Sequence, residues 1–204
     1  MFSLRKQTIM QKKLLLIITS CLYSFISFSQ VKKGTITGNF KFSDLQFARL
    51  RNSNNYTNTN LNATPGIGYF IKDNLEIGVG FNYNLFRYKF NGVTGIYSQR
   101  SNSFGINAYS NYYFGKGRFK PYLTFQTGWQ YTDGSYTESG IKNNFSSNRF
   151  YFGSGIGLNY NISKKIALFT EATYQVNNPL KDNSSGHFNL GGGIRIFFNR
   201  KKKN

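Results

Sequence analysis

The chain has 204 residues, and its 26 lysines and arginines against 7 aspartates and glutamates give a formal net charge of +19. A single cysteine, Cys21, excludes an internal disulfide and a cysteine-based metal site. After residue 30, no apolar stretch reaches the ~18 residues that a membrane-spanning helix requires. So basic a chain first suggests nucleic-acid binding, but the predicted export of this chain argues against it.

Residues 1–29 are predicted to be a cleaved secretory signal peptide. A basic start precedes an apolar run over 14–28, and Ser27 and Ser29 place small residues where signal peptidase cuts. Met10 opens a more compact version of the same signal, so either Met1 or Met10 starts translation. Without the four basic residues of the signal, 22 basic residues face 7 acidic ones, a net charge of +15.

Eight segments of alternating apolar and polar residues follow, and each is predicted to be a β-strand. Short turns at 72–74, 115–118 and 163–165 alternate with long polar loops near 44–57, 91–100, 132–147 and 177–185. The predicted strands are Gly34–Ser43, Asn58–Ile71, Leu75–Phe90, Ser101–Phe114, Phe119–Tyr131, Asn148–Asn161, Ile166–Val176 and Gly186–Phe198.

One face of each strand is apolar, and the other carries Gly, Asn, Thr and Gln with a few charges. Such a second face suits a narrow wet lumen better than the surface of a soluble protein, so we expect the apolar face to point outward. Aromatic residues near strand ends favour interfacial girdles. A soluble lipocalin-like barrel is the alternative. The predicted girdle residues are Tyr69, Phe70, Tyr112, Tyr113, Phe114, Tyr122, Trp129, Tyr131, Phe150, Tyr151, Phe152, Phe197 and Phe198.

The predicted fold class is all-β: an eight-stranded antiparallel up-and-down transmembrane β-barrel with a polar lumen and an apolar exterior. The barrel is expected to span residues 30–198, followed by a basic periplasmic tail at 199–204. An even strand count with short turns at one rim places both termini on the periplasmic side.

The last predicted strand runs from Asn189 through three glycines to alternating apolar residues that end at Phe198. This pattern resembles the C-terminal recognition signal of outer-membrane barrels. With its eight segments, the chain resembles the OmpA/OmpX-type family of small outer-membrane barrels, in the form common among Bacteroidetes. The resemblance implies a Gram-negative outer-membrane location and insertion by the barrel assembly machinery. One departure is that six residues follow Phe198.

Five charged residues of the predicted strands, Lys41, Glu76, Lys120, Glu171 and Arg195, fall on the lumen face, where a buried charge requires a partner. We expect Glu76 and Glu171 to pair with Arg195 and Lys120 in a lumen charge network. Lys41 shares this face. We interpret this network as a structural polar core, and an ion pathway is the alternative.

The only histidine, His187, stands near Asp182, Ser184 and Ser185, which makes a lipid A-modifying enzyme with His187 as its base an alternative. His-Phe-Asn-Leu does not match the His-x-Ser-Asn arrangement of the deacylases, and the serines share one loop with the aspartate. The glycines at 153, 155 and 157 lie in an alternating strand with no helix after them, which argues against a dinucleotide site. We predict no catalytic, cofactor-binding or metal-binding residues.

Basic residues are predicted at both rims of the barrel. The periplasmic rim would bind anionic phospholipid headgroups, and the outer rim would meet lipopolysaccharide phosphates. The predicted phosphate contacts are Arg49, Arg51, Arg87, Lys89 and Arg100.

The sequence therefore predicts a monomeric, non-enzymatic outer-membrane barrel with a structural or surface-interaction, adhesion-like role in the cell envelope. Its expected partners are outer-membrane lipids and, during insertion, the assembly machinery, with no nucleic acid. A narrow pore for small solutes is the first alternative, and a lipid A-modifying barrel enzyme is the second.

Overall fold

The computed structural model describes residues 31–49, 56–92, 95–115, 117–138, 140–178 and 184–198, without the side chains of 44–49, 92 and 95. The predicted signal peptide and basic tail lie outside these ranges. No helix among the described residues is long and apolar enough to cross a membrane.

The described chain forms eight strands, each hydrogen-bonded to its neighbours in sequence, with β8 closing on β1 in a barrel. All neighbouring pairs are antiparallel. The predicted eight-stranded up-and-down barrel is confirmed. The strands are β1 Ile36–Arg49, β2 Tyr56–Lys72, β3 Leu75–Gly92, β4 Gly95–Tyr113, β5 Phe119–Glu138, β6 Ile141–Asn161, β7 Ile166–Asn177 and β8 Ser185–Phe198.

The strands place their apolar face outside and their polar face inside. Ile106 on β4 is 64% exposed, whereas the neighbouring Asn107 is 7% exposed. On β5, Phe125 is likewise exposed and Gln126 is buried. Successive side chains of a strand point to opposite faces, so alternation in the sequence becomes an apolar exterior around a polar lumen. A soluble barrel would have the opposite arrangement.

Several aromatic residues that were predicted to form girdles lie instead inside the barrel. Phe70, Tyr113, Tyr122, Tyr151 and Phe197 are all buried. Adjacent residues of a strand cannot both face the lipid, so each predicted aromatic pair or triplet divides between the two faces. Of the members that remain, Phe114 is half-buried and the others are exposed: Tyr69, Tyr112, Trp129, Tyr131, Phe150, Phe152 and Phe198.

The central strands are longer than predicted, and two of the predicted loops are in fact paired strand. β3 continues to Gly92 before β4 begins at Gly95, and β5 reaches Glu138 before β6 begins at Ile141. These extensions are polar, so hydropathy gave no sign of strand, but backbone hydrogen bonding and cross-strand pairs need no apolar face. β7 pairs with β6 only from Tyr151 onward, so these hairpins extend further from the middle of the barrel than β7 does.

The opposite end of the barrel carries short connections at 73–74, 114–118 and 162–165, and we call it the turn end; the end with the long hairpins is the hairpin end. Asn74 has a φ of 73° in the first turn. The Lys33 backbone N–H donates a hydrogen bond of 2.7 Å to Asp73 Oδ1, which fixes the chain before β1 against this turn.

Candidate functional site

Glu76 lies near the start of β3 and is completely buried in the lumen. Its carboxylate accepts hydrogen bonds from Asn111 Nδ2 at 3.0 Å and from Tyr113 OH at 2.6 Å. Thr37 Oγ1 donates a further bond to it from β1, across the intervening β2. Gly68 makes this reach possible, because a Cβ at that position would overlap the side-chain oxygens of both Glu76 and Thr37. Three neutral donors therefore hold the buried carboxylate.

Arg195 on β8 supplies the positive charge nearest to Glu76. Its Nη2 lies 4.0 Å from Glu76 Oε2, and its Nη1 donates a hydrogen bond of 3.2 Å to Asn159 Oδ1. Its Cζ lies 4.7 Å from the ring centre of Phe169 and 5.4 Å from those of two tyrosines, Tyr113 and Tyr122. Aromatic faces attract cations, most strongly where water is excluded. The guanidinium is thus enclosed mainly by rings.

Glu171 on β7 forms the second ion pair of the lumen. Lys41 Nζ lies 2.8 Å from its Oε1, and Tyr122 OH donates a hydrogen bond of 3.0 Å to its Oε2. Lys41 reaches across β8, where its neighbours are Gly191 and Gly193. β1 and β7 are therefore joined across β8, because the glycines of β8 carry no side chains that would block the contact.

The predicted pairing of Lys120 is corrected by this geometry. Lys120 is buried, but no carboxylate of the described residues forms an ion pair with it. It stands opposite Asn159, whereas Tyr122, two residues along β5, is opposite Gly157 and therefore level with Glu171. The register thus brings Tyr122, and not Lys120, to that carboxylate. The structure brings Glu76 near Arg195, as expected, and gives Glu171 to Lys41.

An aromatic layer surrounds these ion pairs at the turn end. The ring centres of Phe70 and Tyr113 lie 5.5 Å apart, and those of Tyr113 and Tyr122 lie 5.2 Å apart. We use the term lumen plug for the buried group that this layer forms with the ion pair. The lumen plug consists of Phe70, Glu76, Tyr113, Tyr122, Phe169, Arg195 and Phe197.

A polar vestibule lies between the lumen plug and the hairpin end. It has a volume of about 320 Å³, and a space of only about 30 Å³ lies beside the plug. Hydrogen-bonded amide pairs line the vestibule, as where Asn84 Nδ2 donates a 2.8 Å bond to Asn60 Oδ1. Its lining includes Asn60, Asn62, Asn82, Asn84, Gln126, Gln130, Gln175, Ser101, Ser103, Arg149 and His187.

The suggested enzymatic cluster around His187 does not assemble among the described residues. His187 is exposed, and its Nδ1 lies 3.4 Å from Asn177 Nδ2, which also lies 3.4 Å from Ser185 Oγ. No serine hydroxyl of the described chain forms a hydrogen bond with the imidazole. Asp182 lies outside the described residues. A group of three metal-ligating side chains is also absent from the part of the chain that the structure describes.

Three of the five predicted phosphate contacts have described side chains. Arg87, Lys89 and Arg100 are all exposed, and Arg87 stands directly opposite Arg100 across β3 and β4. Arg49 ends β1, but its side chain lies outside the described part of the structure, as does the whole of Arg51.

Three of the residues that hold the buried charges are not evident from the sequence alone. Alternation predicts Lys41 on the lumen face without a partner, and the aromatic pattern predicts Tyr113 and Tyr122 in the girdles. The signal was present, since both tyrosines have lumen parity: Tyr113 follows the exterior Tyr112, and Tyr122 follows Pro121. The cross-strand register was needed to show which groups these side chains reach.

Comparison with known proteins supports the architecture. A family model described as "Outer membrane protein beta-barrel domain" matches residues 15–193. The structure of the outer membrane protein OprG from Pseudomonas aeruginosa is similar with a TM-score of 0.51 and 12% identity, covering 83% of this chain and 98% of that chain. No curated protein matches the sequence.

Two further solved structures are similar at lower TM-scores. The N-terminal β-barrel domain of Pseudomonas aeruginosa OprF gives a TM-score of 0.47 and 15% identity over 81% of this chain and 98% of that one. Ail, the attachment invasion locus protein of Yersinia pestis, gives 0.42 and 14% over 81% and 99%.

Proposed function

Because the chain belongs to the outer membrane protein beta-barrel family, we propose that it is a non-enzymatic envelope protein with a structural or surface-interaction role. The observation that carries this proposal is the lumen plug, in which Glu76 is 0% exposed and Arg195 only 2%. A buried charge pair held by rings and hydrogen bonds favours a closed lumen over a conducting one.

The position of the plug supports a role that is exercised outside the barrel. Its members lie at the turn end, so a solute that entered the vestibule from the hairpin end would meet Tyr113, Tyr122 and Arg195. The long hairpins of β3–β4 and β5–β6 extend the exterior surface of the protein. By the usual orientation of outer-membrane barrels, short turns face the periplasm and the longer connections face the outside.

Solute flux into proteoliposomes tests this proposal. We expect liposomes that contain the wild-type protein to take up small sugars and amino acids no faster than empty liposomes do. A Tyr113→Ala/Tyr122→Ala variant removes two rings from the plug and is expected to admit solute, which also shows that the assay detects an open barrel of this size. Wild-type flux equal to that of the open variant would contradict the closed lumen.

A narrow pore remains the second candidate because the vestibule occupies the rest of the lumen. Its volume of about 320 Å³ leaves room for solute, and the space beside the plug is only about 30 Å³. In this version, the plug side chains would have to move for conduction. Solute uptake by liposomes that contain the wild-type protein, with both tyrosines in place, is the result that favours the pore.

The absence of enzymatic activity is also part of the proposal. It is supported by the surroundings of His187, whose nearest polar contact in the described chain is an asparagine amide. A general base requires its nucleophile within hydrogen-bond reach. We expect lipid A from cells that produce the protein to have the same mass as lipid A from cells that do not. A mass shift that disappears with His187→Ala would overturn this expectation.

Cleavage of residues 1–29, a monomeric state and insertion by the barrel assembly machinery complete the proposal. They are supported by the basic, apolar and small-residue pattern of the first 29 residues and by the closed strand order, which leaves no strand edge for lateral association. Outer-membrane lipids are the proposed partners, and nothing in this function requires a nucleic acid or a cofactor.

A further inference from the structure

Two arginines stand directly opposite each other on the exterior of the barrel. Arg87 on β3 and Arg100 on β4 are cross-strand partners, and both side chains are exposed. They point outward, since Arg100 lies four residues from the exposed Phe104 on β4 and therefore on the same face of the strand. Like charges directly opposite each other destabilise an antiparallel pair. Stability of the sheet therefore gives no reason for this arrangement.

The surroundings of the two arginines offer hydrogen-bond donors. Both line a concavity of about 220 Å³ together with Gln99 and three hydroxyl residues, Ser98, Ser135 and Thr137. The concavity follows from the register, in which Arg100 is opposite Ser135 and Ser98 is opposite Thr137. These hydroxyl side chains are small, so they leave space beside the long arginines.

Two acidic residues of β5, Asp133 and Glu138, lie near this concavity, but no acidic side chain among the described residues lines it. The acidic position nearest in register to Arg100 is Asp133, opposite Asn102, which is two residues from Arg100 toward the turn end. Among the described residues, neither guanidinium forms an ion pair with a carboxylate. Two guanidinium groups and three hydroxyls without an acidic neighbour in contact are suited to a tetrahedral anion such as phosphate.

The position of the two arginines along the membrane normal indicates which kind of molecule would carry that phosphate. Tyr83, Phe104 and Tyr131 form one exterior row across β3, β4 and β5, which marks the upper aromatic girdle. Arg87 and Arg100 each lie four residues beyond this row, toward the hairpin end. At ~3.3 Å per residue and a tilt of ~40°, this places them roughly 10 Å above the girdle.

The other girdle is consistent with this height. Tyr112 lies eight residues from Phe104 along β4, at the turn end. The two rows are thus about 20 Å apart along the membrane normal, near the ~25 Å of the apolar band of outer-membrane barrels. The arginine pair therefore lies beyond the apolar band, at the level of lipid headgroups.

We propose that Arg87 and Arg100 form a clamp for a phosphate group of lipid A in the outer leaflet. Each guanidinium binds phosphate oxygens in its fork, the three hydroxyls donate further bonds, and the bound anion cancels the repulsion between the arginines. Lys89, exposed and two residues from Arg87, adds positive charge on the same face. The clamp rests on the outer-membrane orientation and lipid partners of the proposed function and names the lipid group that is bound, but it is independent of whether the lumen conducts.

Binding of lipid A to the folded full-length protein in detergent, followed by native mass spectrometry, tests the clamp. The probes are bisphosphorylated lipid A, the same lipid with both phosphates removed, and inorganic phosphate. We expect Arg87→Gln/Arg100→Gln to weaken binding of bisphosphorylated lipid A by about tenfold or more, the usual effect of losing charge-assisted hydrogen bonds. The dephosphorylated lipid is expected to bind wild type and variant equally weakly.

Two single variants serve as controls. Arg118→Gln removes the same charge from an exposed position at the turn end and is expected to leave lipid A binding unchanged. Asp133→Asn removes the acidic position nearest in register and is expected to strengthen binding. Because the double variant loses a like-charge repulsion, its unfolding midpoint should be equal to or above that of the wild type, which separates lost binding from misfolding.

Three results would overturn the clamp. The first is wild-type affinity for lipid A in the double variant, and the second is an equal loss in Arg118→Gln, which would indicate only a response to net charge. The third is inorganic phosphate that binds as tightly as lipid A, which would make a free anion the ligand. Solute flux through the barrel bears on none of these outcomes, so the clamp and the closed lumen are tested separately.

Discussion

Lys41 and Lys120 share one residue type and one face of the barrel, but their contacts differ. Lys41 lies 2.8 Å from Glu171, whereas Lys120 has no carboxylate partner among the described residues. The difference arises because β8 presents glycines beside Lys41, while on β5 it is Tyr122, and not Lys120, that is level with Glu171 and donates a hydrogen bond to it. Whether a charge in the lumen finds an ionic partner therefore depends on the space that the neighbouring side chains leave for it.

The two lysines give a matched test at the residue scale. Lys41→Met is expected to lower the free energy of unfolding by about 3–5 kcal/mol, because it leaves the Glu171 carboxylate buried without its cation. Lys120→Met is expected to change it by less than about 1 kcal/mol or to raise it, since it removes a buried charge without an ionic partner. Urea titration of the refolded barrel in liposomes measures both, and equal losses would contradict the assigned pairing.

At the scale of a strand, glycines face tyrosines across the lumen wall. Tyr122 stands opposite Gly157, and Tyr151 stands opposite Gly128. In each pair, a Cβ on the glycine would overlap the tyrosine ring. The glycines thus provide the space in which lumen rings lie flat against the neighbouring strand, and through Tyr122 they shape the lumen plug.

Two glycines of β6 allow this role to be measured. Gly157→Ala is expected to lower the free energy of unfolding by about 1–3 kcal/mol, because the added methyl group meets the ring of Tyr122. Gly153→Ala lies on the same strand and face, but its methyl group would meet the flexible Gln126 amide, with Nε2 at 3.0 Å. We expect it to cost less. A larger loss for Gly153→Ala in the same urea titration would refute the space-filling explanation.

At the scale of the whole molecule, pairing of β8 with β1 removes both edges of the sheet. β8 contributes pairs with β1 from Ile36 opposite Phe198 to Ser43 opposite Gly191. A closed barrel leaves no strand whose backbone groups lack partners in the lipid. Closure is therefore a condition for the stability of every other strand in the membrane.

Migration of the unboiled protein in SDS gel electrophoresis tests closure. We expect the folded barrel to resist the detergent and to migrate apart from the boiled, unfolded chain. Deletion of residues 185–198 removes β8 and is expected to abolish the difference, because β7 and β1 are then left as open edges. A wild-type chain whose migration does not depend on heating would count against the closed barrel.

Much of the fold could be predicted, because its main signals are local. The period-two alternation located all eight strands, and turn residues such as Asp73 and Asn74 located the short connections. The polar extensions of β3 to β6 could not be found this way, since their pairing depends on a neighbouring strand and not on apolar residues. Of the candidate site, lumen parity found Glu76, Arg195 and Glu171 but paired the last with Lys120, whereas its cation is Lys41.

By itself, the sequence determined which residues face lipid and which face the lumen, since successive side chains of any strand point to opposite sides. Only the tertiary structure decided which lumen residues meet, because that depends on the stagger between strands and on the absence of side chains at glycines such as Gly68. The same stagger set Arg87 opposite Arg100. Alternation is a property of one strand, whereas the lumen plug and the proposed clamp are properties of several strands in register.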